Sequence, residues 1–283
     1  MKRGGFDVII GNPPYVEYKD VRSTYQVVGS SMAECGNLFA YVLERCAVCG
    51  HEGARVGQYL LWDSEARPEL FSKIRYAAVI DEKLPGSIPK LGCTEAVSIL
   101  HKLRSRKEEI GRCFERRGQT RVFYRRGGLY WKVFVDFETG SSEEKIIGLQ
   151  PKIDKYTIIA ALSSDLWFWY FTSTSDCRHL GNRDIDTFPF DPQSMHPDLH
   201  KMLASLGREY VRDLKRNAQN AVRVYKGKKA VECLSFRVKQ SKPIIDEIDQ
   251  VLAQHYGFTD EELDFIINYD IKYRMGQDEA DGE

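Results

Sequence analysis

Four consecutive residues near the start of the chain, Asn12-Pro13-Pro14-Tyr15, combine groups suited to holding an amine on a flat ring. The side-chain carbonyl of Asn12 can accept a hydrogen bond from an amino group. Pro13 has a carbonyl but no N–H of its own, so it offers a second acceptor. Tyr15 supplies an aromatic face for stacking. Two acceptors converging on one –NH2, with an aromatic plate beside them, form a holder for the exocyclic amine of a base. The prolines make the turn stiff: each fixes φ and neither donates to a sheet ladder. Pro13 also forces Asn12 out of the helical region. The element that must carry this turn lies just upstream. Phe6, Val8, Ile9 and Ile10 form a near-continuous apolar run, as expected of a strand covered on both faces, and Gly11 ends it. The turn therefore sits at the carboxyl edge of a strand, where open α/β sheets bind ligands.

Gly5-Phe6-Asp7-Val8-Ile9-Ile10-Gly11-Asn12-Pro13-Pro14-Tyr15 resembles the Asn-Pro-Pro-Tyr motif of the amino-methyltransferases. That resemblance implies catalytic roles for Asn12, Pro13, Pro14 and Tyr15, and S-adenosylmethionine as the methyl donor. The following segments suit a layered α/β domain. Residues 16–35 are polar, with Gly29-Ser30-Ser31 in their middle, and form a loop over the site. Apolar positions 38, 39, 42, 43 and 46 have helical spacing, stopped by Gly50 and Gly53. A strand is expected from Arg55 to Leu61, a helix capped by Ser64 through Ile74, a strand over Ala77–Asp81, and a final strand from Thr94 to Leu103 on the alternation of Ala96, Ser98 and Leu100 against Val97 and Ile99.

This order is similar to the second half of the methyltransferase fold. Residues 1–105 are accordingly expected to form a partial Rossmann-like sheet. In the family, the cofactor sits at an aromatic-x-Gly-x-Gly loop upstream of the motif, and neither Arg126-Gly127-Gly128-Leu129 nor Gly227-Lys228 qualifies as such a loop. The resemblance thus implies a C-terminal portion whose S-adenosylmethionine site is largely missing, with a separate N-terminal cofactor-binding chain as one partner and double-stranded DNA as the other. No cofactor-binding residue is assigned.

Charge separates the rest of the chain. The formal net charge is zero, but residues 102–126 carry ten Lys/Arg against three Glu, and residues 208–242 carry eleven against three acids. From residue 246 onward there are twelve Asp/Glu against two basic residues. Arg-rich regions are what a phosphate backbone needs, although the interleaved acids of 208–217 also suit a solvated helix face. Basic turns at Arg116-Arg117-Gly118 and Arg125-Arg126-Gly127-Gly128 alternate with strand-like Val122-Phe123-Tyr124 and Leu129–Val135. Aromatics interleaved with cations suit nucleic-acid contact, and an ordinary hairpin with an exposed tip gives the same pattern.

An apolar helix is expected over 156–171, followed by Arg178-His179-Leu180-Gly181-Asn182-Arg183-Asp184-Ile185-Asp186-Thr187-Phe188-Pro189-Phe190. Apolar helix, small polar loop, Ile and Phe-Pro-Phe together are similar to the target-recognition domains of type I and type IIG restriction–modification enzymes. The resemblance implies an α+β target-recognition domain over 106–197, with Arg178, His179, Asn182 and Arg183 as loop contacts to DNA, to which the basic-aromatic pattern adds Arg125 and Arg126. A surface loop that merely returns the chain would look alike. Helices are expected at about 198–217 and 240–255, and Thr259-Asp260-Glu261-Glu262 opens a capping box leading into an amphipathic helix to Gly276. This ending is similar to the C-terminus of type IIG-like adenine methyltransferases. Residues 198–276 are read as helical spacer and C-terminal helices, and the acidic residues 277–283 as disordered.

Other chemistries fit less well. Cys46-Ala47-Val48-Cys49-Gly50-His51, with Cys35 nearby, is half a zinc site. It needs a fourth ligand such as Cys93, or Cys177 with His179, and no second C-x-x-C exists, so no metal is assigned. Glu143-Glu144-Lys145 is not a nuclease site in its context, and no Gly-x-Ser-x-Gly elbow is present. Seven irregularly spaced cysteines, with no membrane-length apolar run and no signal-like N-terminus, point to a reducing cytoplasm and no membrane partner. The expected function is site-specific adenine N6 methylation of DNA in a restriction–modification system. The alternatives are an inactive DNA-binding specificity fragment or subunit, and protein glutamine methylation, whose enzymes share Asn-Pro-Pro-Tyr but lack a long downstream recognition region.

Overall fold

A computed structural model describes residue 23 and residues 55–57, 76–78, 89–127, 131–175, 177, 180–223 and 230–269. The chain divides into two compact units, Met1–Val97 and Ser98–Glu283. The fold is mixed α/β, and every strand pair among the described residues is antiparallel. No helix among those residues is long and apolar enough to cross a membrane.

In the first unit, strands β1 (Arg55–Gly57) and β2 (Tyr76–Ala78) pair antiparallel with Val56 opposite Ala77. They fall where strands are expected. The segment from Thr94 does not: it forms helix α1 (Thr94–Arg104), correcting the expected strand. The two-residue alternation there was incidental. Ala96, Ile99, Leu100 and Leu103 recur at helical spacing, and these four are the positions that are buried. Glu95 in the first turn and Lys102 and Arg104 in the last complement the helix dipole.

The second unit is built on a three-stranded sheet in the order β4 (Phe134–Val135), β3 (Thr120–Arg125), β5 (Glu144–Leu149). Phe123 lies opposite Val135 on one side of β3 and opposite Ile146 on the other. The apolar stretch expected as one helix is two, α2 (Lys155–Leu162) and α3 (Asp165–Thr174). Ser163 and Ser164 break it because the second serine is better used as a cap: its hydroxyl accepts from the Trp167 N–H at 3.0 Å. The buried carboxylate of Asp249 completes the break by accepting from the N–H groups of Asp165 and Leu166, both at 2.9 Å. Two orphan donors of a helix start are thus satisfied by a side chain more than eighty residues away.

Helix α4 (Asn182–Asp186) is short, and the long α5 (Pro197–Asn217) packs on α2 and buries Leu203, Ala204, Gly207, Tyr210, Val211 and Leu214. A hairpin of β6 (Gln219–Arg223) and β7 (Val231–Ser235) follows, a pair not anticipated between the two helices. Helix α6 (Lys242–Tyr256) ends at Gly257, whose φ of 69° is left-handed, and α7 (Asp260–Ile267) begins directly after. The capping box forms as expected: the Thr259 N–H donates to the Glu262 carboxylate at 2.8 Å, and the Glu262 N–H donates to the Thr259 hydroxyl at 3.3 Å. Residues 270–283, including the rest of the expected helix and the acidic tail, lie outside the described residues.

The core of this unit is aromatic. Trp167, Trp169, Tyr170, Phe188 and Phe190 are all at most 2 % exposed. The Phe-Pro-Phe motif is a core plug: Tyr256 donates its hydroxyl to the Pro189 carbonyl at 2.7 Å, and the Phe188 carbonyl accepts from the Ile110 N–H. Helix α1 is tied to the C-terminal helices by Lys102, which reaches Glu262 at 2.6 Å and the Gly257 carbonyl at 2.7 Å. Arg106 reaches the His255 carbonyl at 2.6 Å.

Candidate nucleic-acid interface

Two of the basic sequence features meet at one corner of the second unit. Strand β3 ends at Arg125, and Arg126 follows it. The Arg126 N–H donates to the Glu143 carbonyl at 3.0 Å, holding the strand end against the start of β5. The Arg126 carbonyl in turn accepts from the Leu180 N–H at 3.1 Å. That bond brings the loop entering α4 to the end of β3. Arg126, Asn182 and Arg183 are exposed there, while Arg125 is half-buried.

The corner is rigid for reasons written locally. Leu180 and Ile185 are buried, which fixes both sides of the Gly181 turn. The Asp184 carboxylate accepts from the Gly181 N–H at 2.8 Å, closing the first turn of α4. At the other end, the Thr187 hydroxyl donates to the Arg183 carbonyl at 2.9 Å, and the Tyr170 hydroxyl donates to the Thr187 carbonyl at 2.9 Å. The helix thus presents Asn182 and Arg183 outward from a fixed base. Its inner side lies close to the turn at Ile110–Cys113, where a side-chain carbon on Gly111 would sit 3.0 Å from Asp186.

The electrostatics of the corner are mixed. Lys132 is 4 % exposed, and burial, followed by the Arg125 charge, lowers its ammonium to about 8. Burial and the nearby Asp186 carboxylate raise the Tyr124 phenol, with Arg126 working in the opposite direction. Burial and then Glu109 raise the Asp186 carboxyl. Asp184 and Asp186 therefore sit among the cations, and the corner is no uniform phosphate trap. An exposed Asn beside exposed Arg is the pairing that reads base edges: Asn bidentate to adenine, Arg bidentate to guanine or to a phosphate.

Of the sequence-predicted contacts, Arg125, Arg126, Asn182 and Arg183 converge here, while Arg178 and His179 lie outside the described residues. Asn12, Pro13, Pro14 and Tyr15 also lie outside them, as do Cys35, Cys46, Cys49 and His51. Among the described residues no group of three or more His, Cys, Asp or Glu could hold a metal ion. Lys132 was hidden inside a strand-like run. A second basic cluster, around Arg121, Lys155 and Arg208, was not anticipated because its members are scattered along the sequence.

A family model described as Eco57I restriction-modification methylase matches residues 1–57, a stretch that contains Asn12-Pro13-Pro14-Tyr15. The match supports a methylase of the restriction–modification kind. No curated protein and no solved structure matches the chain.

Proposed function

We propose that this chain belongs to an S-adenosylmethionine-dependent DNA adenine-N6 methyltransferase of the type IIG restriction–modification class. The observation that supports the reading is the similarity of residues 1–57, a stretch that includes Asn12-Pro13-Pro14-Tyr15, to a restriction-modification methylase model. In this reading the target adenine leaves the duplex. The Asn12 side-chain carbonyl and the Pro13 carbonyl accept hydrogen bonds from its amino group, and Tyr15 stacks on the ring. Both acceptors draw the amine's hydrogens away from the face that reacts, so the nitrogen lone pair is oriented for transfer. Catalysis is then mainly positioning and electrostatics.

When bound, S-adenosylmethionine supplies an electrophilic methyl group. No described residue is assigned to that cofactor. The partners of the reading are double-stranded DNA and a cofactor-binding segment, on this polypeptide or another. Residues 1–105 belong to a Rossmann-like catalytic domain and residues 106–197 to the target-recognition domain. Arg125, Arg126, Asn182 and Arg183 supply DNA contacts at the corner described above, with Arg178 and His179 in the same loop by sequence.

The test uses the natural enzyme that contains these residues, incubated with duplex DNA and labelled S-adenosylmethionine. Digestion of the DNA to nucleosides is expected to place the label in N6-methyladenine. Label in methylcytosine, or in protein glutamine with none in DNA, overturns the reading. Salt-sensitive DNA binding with no transfer would favour a specificity subunit instead.

A further inference from the structure

A cleft of about 470 Å³ opens between the start of β3 and the helices α2 and α5. Its lining includes Arg121, Asp136, Asp154, Lys155, Tyr156 and Arg208. The two carboxylates are already committed to positioning the cations. Asp136 accepts from the Tyr156 hydroxyl at 3.0 Å and forms ion pairs with Lys155 at 2.9 Å and Lys215 at 3.2 Å. Burial favours protonation of Asp136, but its hydrogen bonds from Lys155, Tyr156 and Lys215 outweigh this and hold its pKa below the usual range. Asp154 caps α2 through the Tyr156 N–H and accepts from Arg208, both at 2.8 Å.

Tyr156 is the centre of this arrangement. Its ring lies 5.0 Å from the Lys155 ammonium and 4.9 Å from the Arg208 guanidinium. Each cation keeps donors beyond those used on the carboxylates, because an ammonium carries three N–H groups and a guanidinium five. Arg121 is exposed and makes no ion pair among the described residues. Four cations, counting Lys215, stand against two carboxylates, leaving a surplus of positive charge.

Lys201 extends the line of cations along α5, with the Asp198 carboxylate 3.9 Å away offsetting part of its charge. Lys201, Arg208 and Lys215 are seven residues apart and share one face of the helix. Successive members lie about 10.5 Å apart along the helix axis, roughly the rise of three base-pair steps along a duplex. A small anion would need only the cleft. A row of cations extending from it fits an elongated polyanion.

We propose that this cleft and the adjoining face of α5 form a backbone-anchoring site for nucleic-acid phosphodiesters, centred on Arg121, Lys155 and Arg208. It rests on the DNA-binding reading and adds a site distinct from the Arg126–Arg183 corner. Anchoring of this kind fixes the register of a duplex without reading its bases.

The test is fluorescence anisotropy of the full chain on two duplexes of unrelated sequence, across 50 to 200 mM salt. The double variant Arg121→Gln, Arg208→Gln is compared with wild type and with Lys239→Gln, an exposed lysine outside the cleft. Loss of two phosphate contacts lowers the slope of log affinity against log salt by about 1.8, so the affinity change across this range shrinks about 12-fold. The loss is expected to be equal on both duplexes, with Lys239→Gln near wild type. Arg121→Gln alone, at an unpaired surface site, is expected to lower the slope by about 0.9 without altering the fold. Wild-type slope in both variants, on a wild-type chain that binds DNA, overturns the anchoring site and leaves the DNA reading standing. No salt-dependent binding by the wild-type chain overturns both.

Discussion

Gly207 gives the sharpest prediction about how the second unit holds together. It sits inside α5 where that helix crosses α2. A methyl group built there lies 2.1 Å from the Tyr156 carbonyl oxygen, 2.8 Å from its carbonyl carbon and 3.2 Å from its Cα. All three are backbone atoms, so no rotamer change relieves the clash. Restoring an ordinary contact near 3.4 Å requires the helices to part by about 1.3 Å, which is 3.4 less 2.1. On an exposed helix, Gly→Ala would stabilise by roughly 1 kcal/mol. Here overpacking against backbone costs about 3–4 kcal/mol, at the upper end for such changes. The net expectation for Gly207→Ala is a loss of about 2–3 kcal/mol, or a Tm lower by roughly 4–12 °C for a unit of this size. Urea unfolding followed by Trp fluorescence, with the buried Trp167 and Trp169 as reporters, measures it. The same shift moves Tyr156, so the salt slope of DNA binding should fall as well. A variant as stable as wild type, or more stable, refutes this account of the α2–α5 crossing.

Asp249→Ala strands the Asp165 and Leu166 N–H groups in the core and is expected to cost about 3 kcal/mol in urea unfolding, with Asp249→Asn between it and wild type. His255 is held at about 4, mainly by burial and then by Arg106, below its ordinary 6.5. Because the unfolded chain takes up that proton first, stability is full above 6.5, falls as pH drops toward 4 and then levels off, by roughly 3 kcal/mol in all. Unfolding midpoints measured from pH 7 to 4 should show the decline, and His255→Asn should flatten it. Glu262 acts in the same direction at lower pH. Despite the opposing effect of burial, its contact with Lys102 lowers its pKa, so its contribution exists above the ordinary carboxylate range and is lost on acidification. At the interface, Asn182→Ala should relax discrimination at one base position by about 1–3 kcal/mol in competition binding, whereas Arg183→Gln should weaken all sequences.

Elements with a long or locally capped signal were legible in the sequence. The apolar stripe of α5 repeats over 21 residues, and the Thr259 box needs only residues three apart, so both stand where periodicity and capping place them. The α1 segment misled because Ala96–Leu100 alternates by chance. Only tertiary burial of Ile99 and Leu103 distinguishes helix from strand there. The Ser163-Ser164 break was hidden because its decisive partner, Asp249, lies in another helix. Likewise the hairpin β6–β7 was obscured by its lysine-rich connection. The Arg121–Arg208 cleft is assembled from three elements, and no local pattern joins their residues. The corner at Arg126 and Asn182 was half legible: its residue types stood out, while the Leu180 hydrogen bond that unites them required the fold.

Substitution of Asn12 separates methyl transfer from DNA binding. In the natural enzyme containing these residues, Asn12→Ala removes the side-chain acceptor proposed for the target amine and leaves the proposed DNA contacts at Arg126, Arg183, Arg121 and Arg208 unsubstituted. Methyl transfer to duplex DNA and DNA affinity are measured side by side on variant and wild type. Transfer is expected to fall by at least about 100-fold, the scale of losing one positioned polar contact to the reacting group, with affinity unchanged within about twofold. Transfer at the wild-type rate in Asn12→Ala would contradict the role proposed for Asn12.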